Sequence, residues 1–320
     1  MARFIVRRLA GMVAVLFAVS VIVFVIFNVV PNTNPAQLLA GKNADQQLIE
    51  NIEEDWGFND SLPVQYFSMM KKVFTGELTS YRPQIPVDEQ IVERIPATFS
   101  LSIGAAIIWL AFGLLLGYLS AKRAGGWLDR LLTGVAIAGV SIPVFLIASV
   151  LIYVFATKLE IFPNGQYVPF EEDPWEWLNH LILPWFTLAI LSIGFYSRVL
   201  RSNMLDVMEE DYVRTARAKG LSESKVMRRH VLRNSLIPIV TLFGLDFGAT
   251  IAGTAIITEV LFSIDGVGNY AANAATNFEL PPVMGVTLYG AFFVVFVNAL
   301  VDIAYAYLDP RVRLGETASA

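Results

Sequence analysis

Residues 211–234 read DYVRTARAKGLSESKVMRRHVLRN. The stretch holds seven Arg or Lys, two acids and a histidine, with long apolar runs on either side. Its surroundings decide the fold class. Across 320 residues, 55% are hydrophobic and 16% charged, with a mean hydropathy of +0.57. Soluble domains carry roughly 25% charged residues, so this deficit points to a membrane protein. There is no cysteine, which excludes disulfides, thiol catalysis and Cys–zinc sites, and two histidines, His180 and His230, leave no material for a His-rich metal site.

Working outward, six apolar segments appear. Residues 9–30, 98–121 and 131–157 carry no charge, 181–197 ends at Arg198, 236–262 contains Asp246 and Glu259, and 283–308 contains Asp302. A bilayer core needs about 20 apolar residues per helix, and backbone groups in lipid must be bonded internally, so all six read as membrane helices. The first follows Arg3, Arg7 and Arg8 like a signal peptide, but its apolar run is too long and no A-x-A-like site follows. It is expected to be retained. Segments 1–8, 122–130, 198–235 and 309–320 carry 17 of the 23 Lys and Arg, whereas 17 of the 28 acids fall between the other span ends. The positive-inside rule then places both termini and the stretch 211–234 in the cytoplasm. The fold class expected is an all-α polytopic membrane protein of six transmembrane helices. It divides into 1–30 (cytoplasmic start and first helix), an ordered extracytoplasmic segment 31–95 rich in acids and aromatics, a transmembrane domain 96–308 with a cytoplasmic loop 203–235, and a tail 309–320.

Read physically, the basic stretch is a helix, a hinge and a second helix. Asp211 suits an N-cap, Tyr212 to Lys219 has high helix propensity, and Gly220 suits the position that ends a helix. Ser222 can cap a second helix from Glu223. The first helix is about 12 Å long at 1.5 Å per residue. Small residues Ala216 and Ala218 would allow close approach of another protein, with Arg214, Arg217 and Lys219 as its charges. A knob for a partner's cleft, a loop that only sets topology and a phospholipid-binding helix are the three readings; the lack of a broad apolar face weighs against the last.

Four intramembrane polar residues, Asp246, Glu259, Asn298 and Asp302, are candidates for a translocation pathway, since such groups are costly in lipid. Asn298 and Asp302 share a helix face. Bonds to neighbouring helices are the plainer reading of each. Gly113 with Gly117, and Gly244 with Gly248, form G-x-x-x-G pairs expected to pack helices closely. Pro143 and Pro184 could kink the third and fourth spans. Ser141 and His180 are the one pair that could suggest a membrane hydrolase, without a supporting motif. No G-x-x-x-x-G-K-[ST] occurs, so nothing in the chain binds ATP.

The run 211–221 resembles the cytoplasmic EAA loop of type-1 ABC importer permeases with the MetI-like fold, most closely the dipeptide, oligopeptide and nickel branch. Supporting motifs are RHVLRNSLIPIV at 229–240, Leu183–Pro184, Arg198 with Arg201, NML at 203–205 and YAYLDPRVRL at 305–314. Arg214, Thr215 and Ala216 stand where the wider family has Glu-Ala-Ala, and Asp265 in FSIDGVGNY stands where the branch often has proline. The resemblance implies that Asp211, Tyr212, Val213, Arg214, Thr215, Ala216, Arg217, Ala218, Lys219, Gly220 and Leu221 form a coupling helix docked on an ATPase. It implies two cytoplasmic ATPase subunits that bind ATP and Mg, a homologous second permease in a heterodimer, an extracytoplasmic substrate-binding protein and a peptide substrate. The chain itself would hold no cofactor or metal, have no catalytic residue and bind no nucleic acid, and would sit among lipid in a prokaryotic plasma membrane. Nickel complexes and oligosaccharides are alternative cargoes. A stand-alone secondary transporter using the intramembrane acids is the competing class.

Overall fold

The computed structural model describes residues 2–26, 57–80, 85–277 and 279–308, with a few isolated positions between 27 and 56. Among the described residues the chain is helical, and the sole extended pairing is an isolated bridge between Thr79 and Pro86. The helices are α1 (Ala2–Phe24), α2 (Leu62–Thr75), α3 (Val87–Lys122), α4 (Trp127–Ser141), α5 (Val144–Leu151, continued by wide turns over Ile152–Lys158), α6 (Pro174–Met208), α7 (Asp211–Ala218), α8 (Glu223–Val226, with wide turns over Met227–Leu232 and a last turn at Arg233–Ser235), α9 (Ile237–Ala249, continued over Thr250–Thr254), α10 (Ile256–Leu261), α11 (Val267–Thr276) and α12 (Leu280–Leu308).

Five of these, α1, α3, α6, α9 and α12, are long and apolar enough to cross a membrane. The expected third span departs from a straight helix. It is the pair α4 and α5, bent by 100°. The cause is local: Pro143 cannot donate to the helix ladder and holds an extended backbone at φ −60°, ψ 140°, which starts α5 in a new direction. Among the described residues the count is therefore five spans, or six if the bent pair is one. Pro184, by contrast, lies inside an unbroken α6. The expected fourth span, 181–197, proves to be the middle of a helix of 35 residues. Asp173 sets its start by accepting from the Trp175 and Glu176 amides at 2.8 and 3.1 Å, with Pro174 behind it. Apolar runs mark the part of a helix that lipid can cover, whereas caps mark where it ends.

The core is the seam between α3 and α6. A Cβ on Gly113 would stand 2.9 Å from the Tyr196 Cβ, and one on Gly117 would stand 2.7 Å from the Ser197 carbonyl oxygen. Both glycines therefore serve close helix packing, as the G-x-x-x-G spacing predicts. Gly244 does the same for α9 against Val301 of α12. Trp109 and Tyr196 are buried in this seam with ring centroids 6.3 Å apart. At one end, Val23 and Phe24 of α1 pack with Met69 of α2 and Met284 of α12. That contact orders the later part of the 31–95 segment; most of residues 27–56, Trp56 included, lies outside the described residues. So does the tail 309–320, and with it the end of the 305–314 motif.

Candidate functional site

α7 stands at the end of α6, joined to it by the two residues Glu209 and Glu210. Glu210, with extended backbone, occupies the N-cap position, and Asp211 is the first helical residue rather than the cap. Its carboxylate still faces the positive end of the helix dipole. Val213 and Ala216 are buried within the same core cluster as Met204, Val226, Met227 and Val231. These two residues, three apart, give the helix its inner face. The expectation that Ala216 offers a close-approach surface is thus corrected: Ala216 points into the chain, and Ala218 alone of the two alanines is exposed. Tyr212 accepts from the Asn234 side-chain amide at 2.8 Å. Asp211, Arg214, Thr215, Ala218 and Lys219 complete the exposed face.

The end of α7 is built as the sequence predicts. Gly220 has φ +76°, a conformation that costs other residues strain. The Leu221 amide donates to the Ala216 carbonyl at 3.4 Å and the Gly220 amide to the Arg217 carbonyl at 2.9 Å. This is the paired closure that satisfies the last carbonyls of a helix. Arg217 then reaches across the hinge to Glu223, at 2.9 Å from Nη2 and 3.2 Å from Nε. The hydrogen-bonded carboxylate raises the Arg217 pKa, and the guanidinium lowers that of Glu223. Ser222 occupies the next N-cap position, yet its side chain makes no capping bond. The helix, hinge and second helix are one locked unit with a polar outer face.

The intramembrane candidates separate. Asp246 accepts from the Tyr196 hydroxyl at 2.8 Å, which links α9 to α6. Glu259 is fully buried at 0% exposure. One carboxylate oxygen accepts from the Thr98 hydroxyl at 2.8 Å and the other from the Asn269 amide at 2.8 Å. The Val267 amide in turn donates to Thr98 at 2.9 Å. Gly266 and Gly268 leave room for the carboxylate, since a Cβ on either would meet it at under 3 Å. Glu259 therefore clamps α3, α10 and the start of α11 together, and it presents no oxygen to an open path. Asn298 lies on α12 in a cavity of about 580 Å³ shared with Arg7, Arg8, Gly11 and Met12 of α1. Asp302 is in α12, and its side chain lies outside the described residues.

Two features go beyond what the residue pattern suggested. Asp265, an expected point of departure in its loop, pairs with Arg94 at 2.8 Å, and Arg94 lies 4.9 Å from the Tyr270 ring centre. Asp129, the one acid in the basic segment 122–130, is buried and collects donors from α3, α4 and α6.

Residues 113–314 match the family described as the inner membrane component of binding-protein-dependent transport systems, and residues 1–102 match the corresponding N-terminal family. The chain belongs to this family. It is 36% identical over 311 residues to the Sinorhizobium fredii protein named "Probable peptide ABC transporter permease protein y4tP", covering 97% of this chain and 99% of that one. It is also 36% identical over 329 residues to the dipeptide transport system permease protein DppB of Alkalihalophilus pseudofirmus, covering 96% and 98%. A chain of the MetNI methionine ABC transporter, solved in an inward-facing conformation, shares the fold with a TM-score of 0.52 at 15% identity, over 70% of this chain and 96% of that one.

This transport component is thus an integral, multi-pass membrane protein with the MetI-like fold. Family members are transport subunits, and the geometry at the two residues that might suggest a hydrolase fits that assignment. The Ser141 hydroxyl donates to the Ile137 carbonyl of its own helix, and the His180 ring bonds the Gly165 carbonyl.

Proposed function

We propose that this permease forms half of the pathway of an ATP-driven importer of di- or oligopeptides, with α7 as the element that docks on a cytoplasmic ATPase. Near full-length similarity to peptide and dipeptide permeases supports the cargo class. The observation that carries the docking role is the construction of α7: Val213 and Ala216 are spent inward, its end is closed at Gly220, and its remaining face is exposed and mostly polar. A loop that only sets topology needs basic charge but no such locked, outward-presented helix. Charge asymmetry supports placing α7, the turn 123–126 and both termini in the cytoplasm and the 31–95 segment outside.

In this reading a homologous second permease completes the pathway as a heterodimer. Two ATPase subunits bind ATP and Mg, and an external binding protein delivers the peptide. ATP-driven approach of the ATPases moves the two docked helices, and the spans follow. The test is uptake of a labelled dipeptide into proteoliposomes holding the whole complex. Uptake that requires the ATPases and ATP is expected. Uptake by this chain alone, driven by an ion gradient, would overturn the proposal.

A further inference from the structure

α2 has three sides, and one of them is uncovered apolar surface. Tyr66, Met69 and Met70 pack against the end of α1 that lies away from Arg7 and Arg8, and against Met284 and Leu288 of α12. Gln65, Ser68 and Lys72 line a small cavity with Gly57 and Asp60, and the Gln65 side-chain amide donates to the Phe58 and Asp60 carbonyls, each at 2.8 Å. Val64, Phe67, Lys71 and Phe74, spaced by three and four residues, share the remaining face. Phe67 is 69% exposed and Phe74 81%. The loop before the helix is bonded to the other flank, and among the described residues it leaves these two rings uncovered.

The level of α2 follows from what Tyr66 touches. Its hydroxyl shares a hydrogen bond of 2.8 Å with the Ser20 hydroxyl, one turn inside the end of α1. Its ring centre lies 5.5 Å from that of Phe24 and 6.3 Å from that of Phe17. Phe17 is itself exposed on a helix long and apolar enough to cross the membrane, so its uncovered side faces lipid. Met284 and Leu288 likewise stand one and two turns inside the start of α12. Phe67 meets Tyr66 edge-on with ring centres 5.4 Å apart, which sets it at the same level. Exposed apolar patches mark contact with protein or membrane. Here the patch continues the lipid-covered side of α1, which favours the membrane. With 14 residues, about 21 Å, α2 is too short to cross it.

We propose that α2 is an interfacial helix that binds phospholipid, lying in the headgroup layer at this end of α1 with Val64, Phe67 and Phe74 among the acyl chains. Helices of this kind lie in the plane of the interface and bury their apolar face at the boundary between headgroups and chains. Lys71, between the two rings, fits that place, because its stem can follow apolar surface while the ammonium stays among the phosphates. The three sides of α2 then meet protein, lipid and the polar cavity. Gly76, at φ +72°, closes the helix with its amide on the Lys72 carbonyl, and the next residue, Glu77, is an exposed acid. The chain thus leaves the interface directly after Phe74. This placement requires only that α1 crosses the membrane, and it is independent of the cargo and of ATP coupling.

The test uses the complete transporter, with partner chains whose cysteines are replaced, in nanodiscs of phosphatidylethanolamine and phosphatidylglycerol. This chain has no cysteine of its own, so a spin label on Phe67→Cys, Phe74→Cys or Glu171→Cys reports a single place. Glu171 is an exposed acid in the loop before α6 and serves as the water-facing reference. Power saturation compares access of oxygen, which concentrates among acyl chains, with access of a water-soluble nickel chelate. Oxygen should have the greater access at both phenylalanine positions and nickel at Glu171, so the logarithm of their ratio changes sign. Val64→Cys removes less apolar area, should give the sign of the phenylalanine positions, and carries the test if either phenylalanine variant fails to assemble. Greater access of nickel on this face would place it in water and overturn the proposal. Low access of both reagents would mean that protein covers the face, from a second permease or from this chain, and would overturn it equally.

Discussion

The two ends of the bundle treat charge in opposite ways. At one end α7 turns Val213 and Ala216 inward and leaves Asp211, Arg214 and Lys219 exposed. At the other end Glu259 is sealed in the core, and the elements around it are arranged to satisfy it. Both were candidate sites for the same reason, a charge in an unusual place. Charge kept at the surface of a rigid local unit is available to a partner. Charge enclosed by three elements has already found its partners, and its removal is felt by the fold.

The largest effect should come from Glu259→Ala, which strands the Thr98 hydroxyl and the Asn269 amide in the core. A loss of about 3 kcal/mol is expected, read as a lower unfolding temperature in detergent, with assembly lost before any selective change in substrate preference. A drop in uptake without loss of stability would break the comparison by returning Glu259 to the pathway. Next is Gly117→Val, whose side chain would press on the Ser197 backbone carbonyl, which cannot rotate away. About 2 kcal/mol is expected.

Gly220→Ala sharpens the exposed side. No atom lies within 4 Å of its Cβ position, so the cost is backbone strain alone, about 1 kcal/mol. Weaker ATPase binding with little change in the unfolding temperature of the spans is expected. The smallest effect belongs to Glu223→Gln at the hinge. Arg217 lowers the Glu223 pKa, so the pair contributes above the unfolded carboxylate value of roughly 4.3 and is lost only as pH falls through the lower folded value. ATPase binding should therefore be flat from pH 6 to 8 in both the unaltered and the Gln forms. A step in that range would mean that another group controls docking.

Much of this contrast was legible in the residues themselves. The end of α7 at Gly220 and the close packing at Gly117 and Gly244 follow from local chemistry that a short window of sequence contains. The break at Pro143 was legible as a possible kink, but the size of the bend, 100°, was not. That Glu259 bonds to neighbouring helices was the plainer reading of the sequence, but its partners were not legible, because Thr98 is 161 residues away and Asn269 is reached only after the chain reverses. Asp129 was hidden in the same way: its donor Arg201 is 72 residues distant, and within its own turn it reads as one acid among bases. Ala216 was misplaced because two small residues in one helix look alike until the face that packs is known.

The docking role of α7 is tested most directly by co-purification. This chain would be expressed with its partner permease and ATPases, unaltered and as Gly220→Pro, which can adopt neither φ +76° nor the amide bond to Arg217. ATPase retained by the unaltered complex and lost from the variant, with the permease pair still intact, is the expected result. Equal retention by both would contradict the docking role and place the ATPase contact elsewhere on the chain.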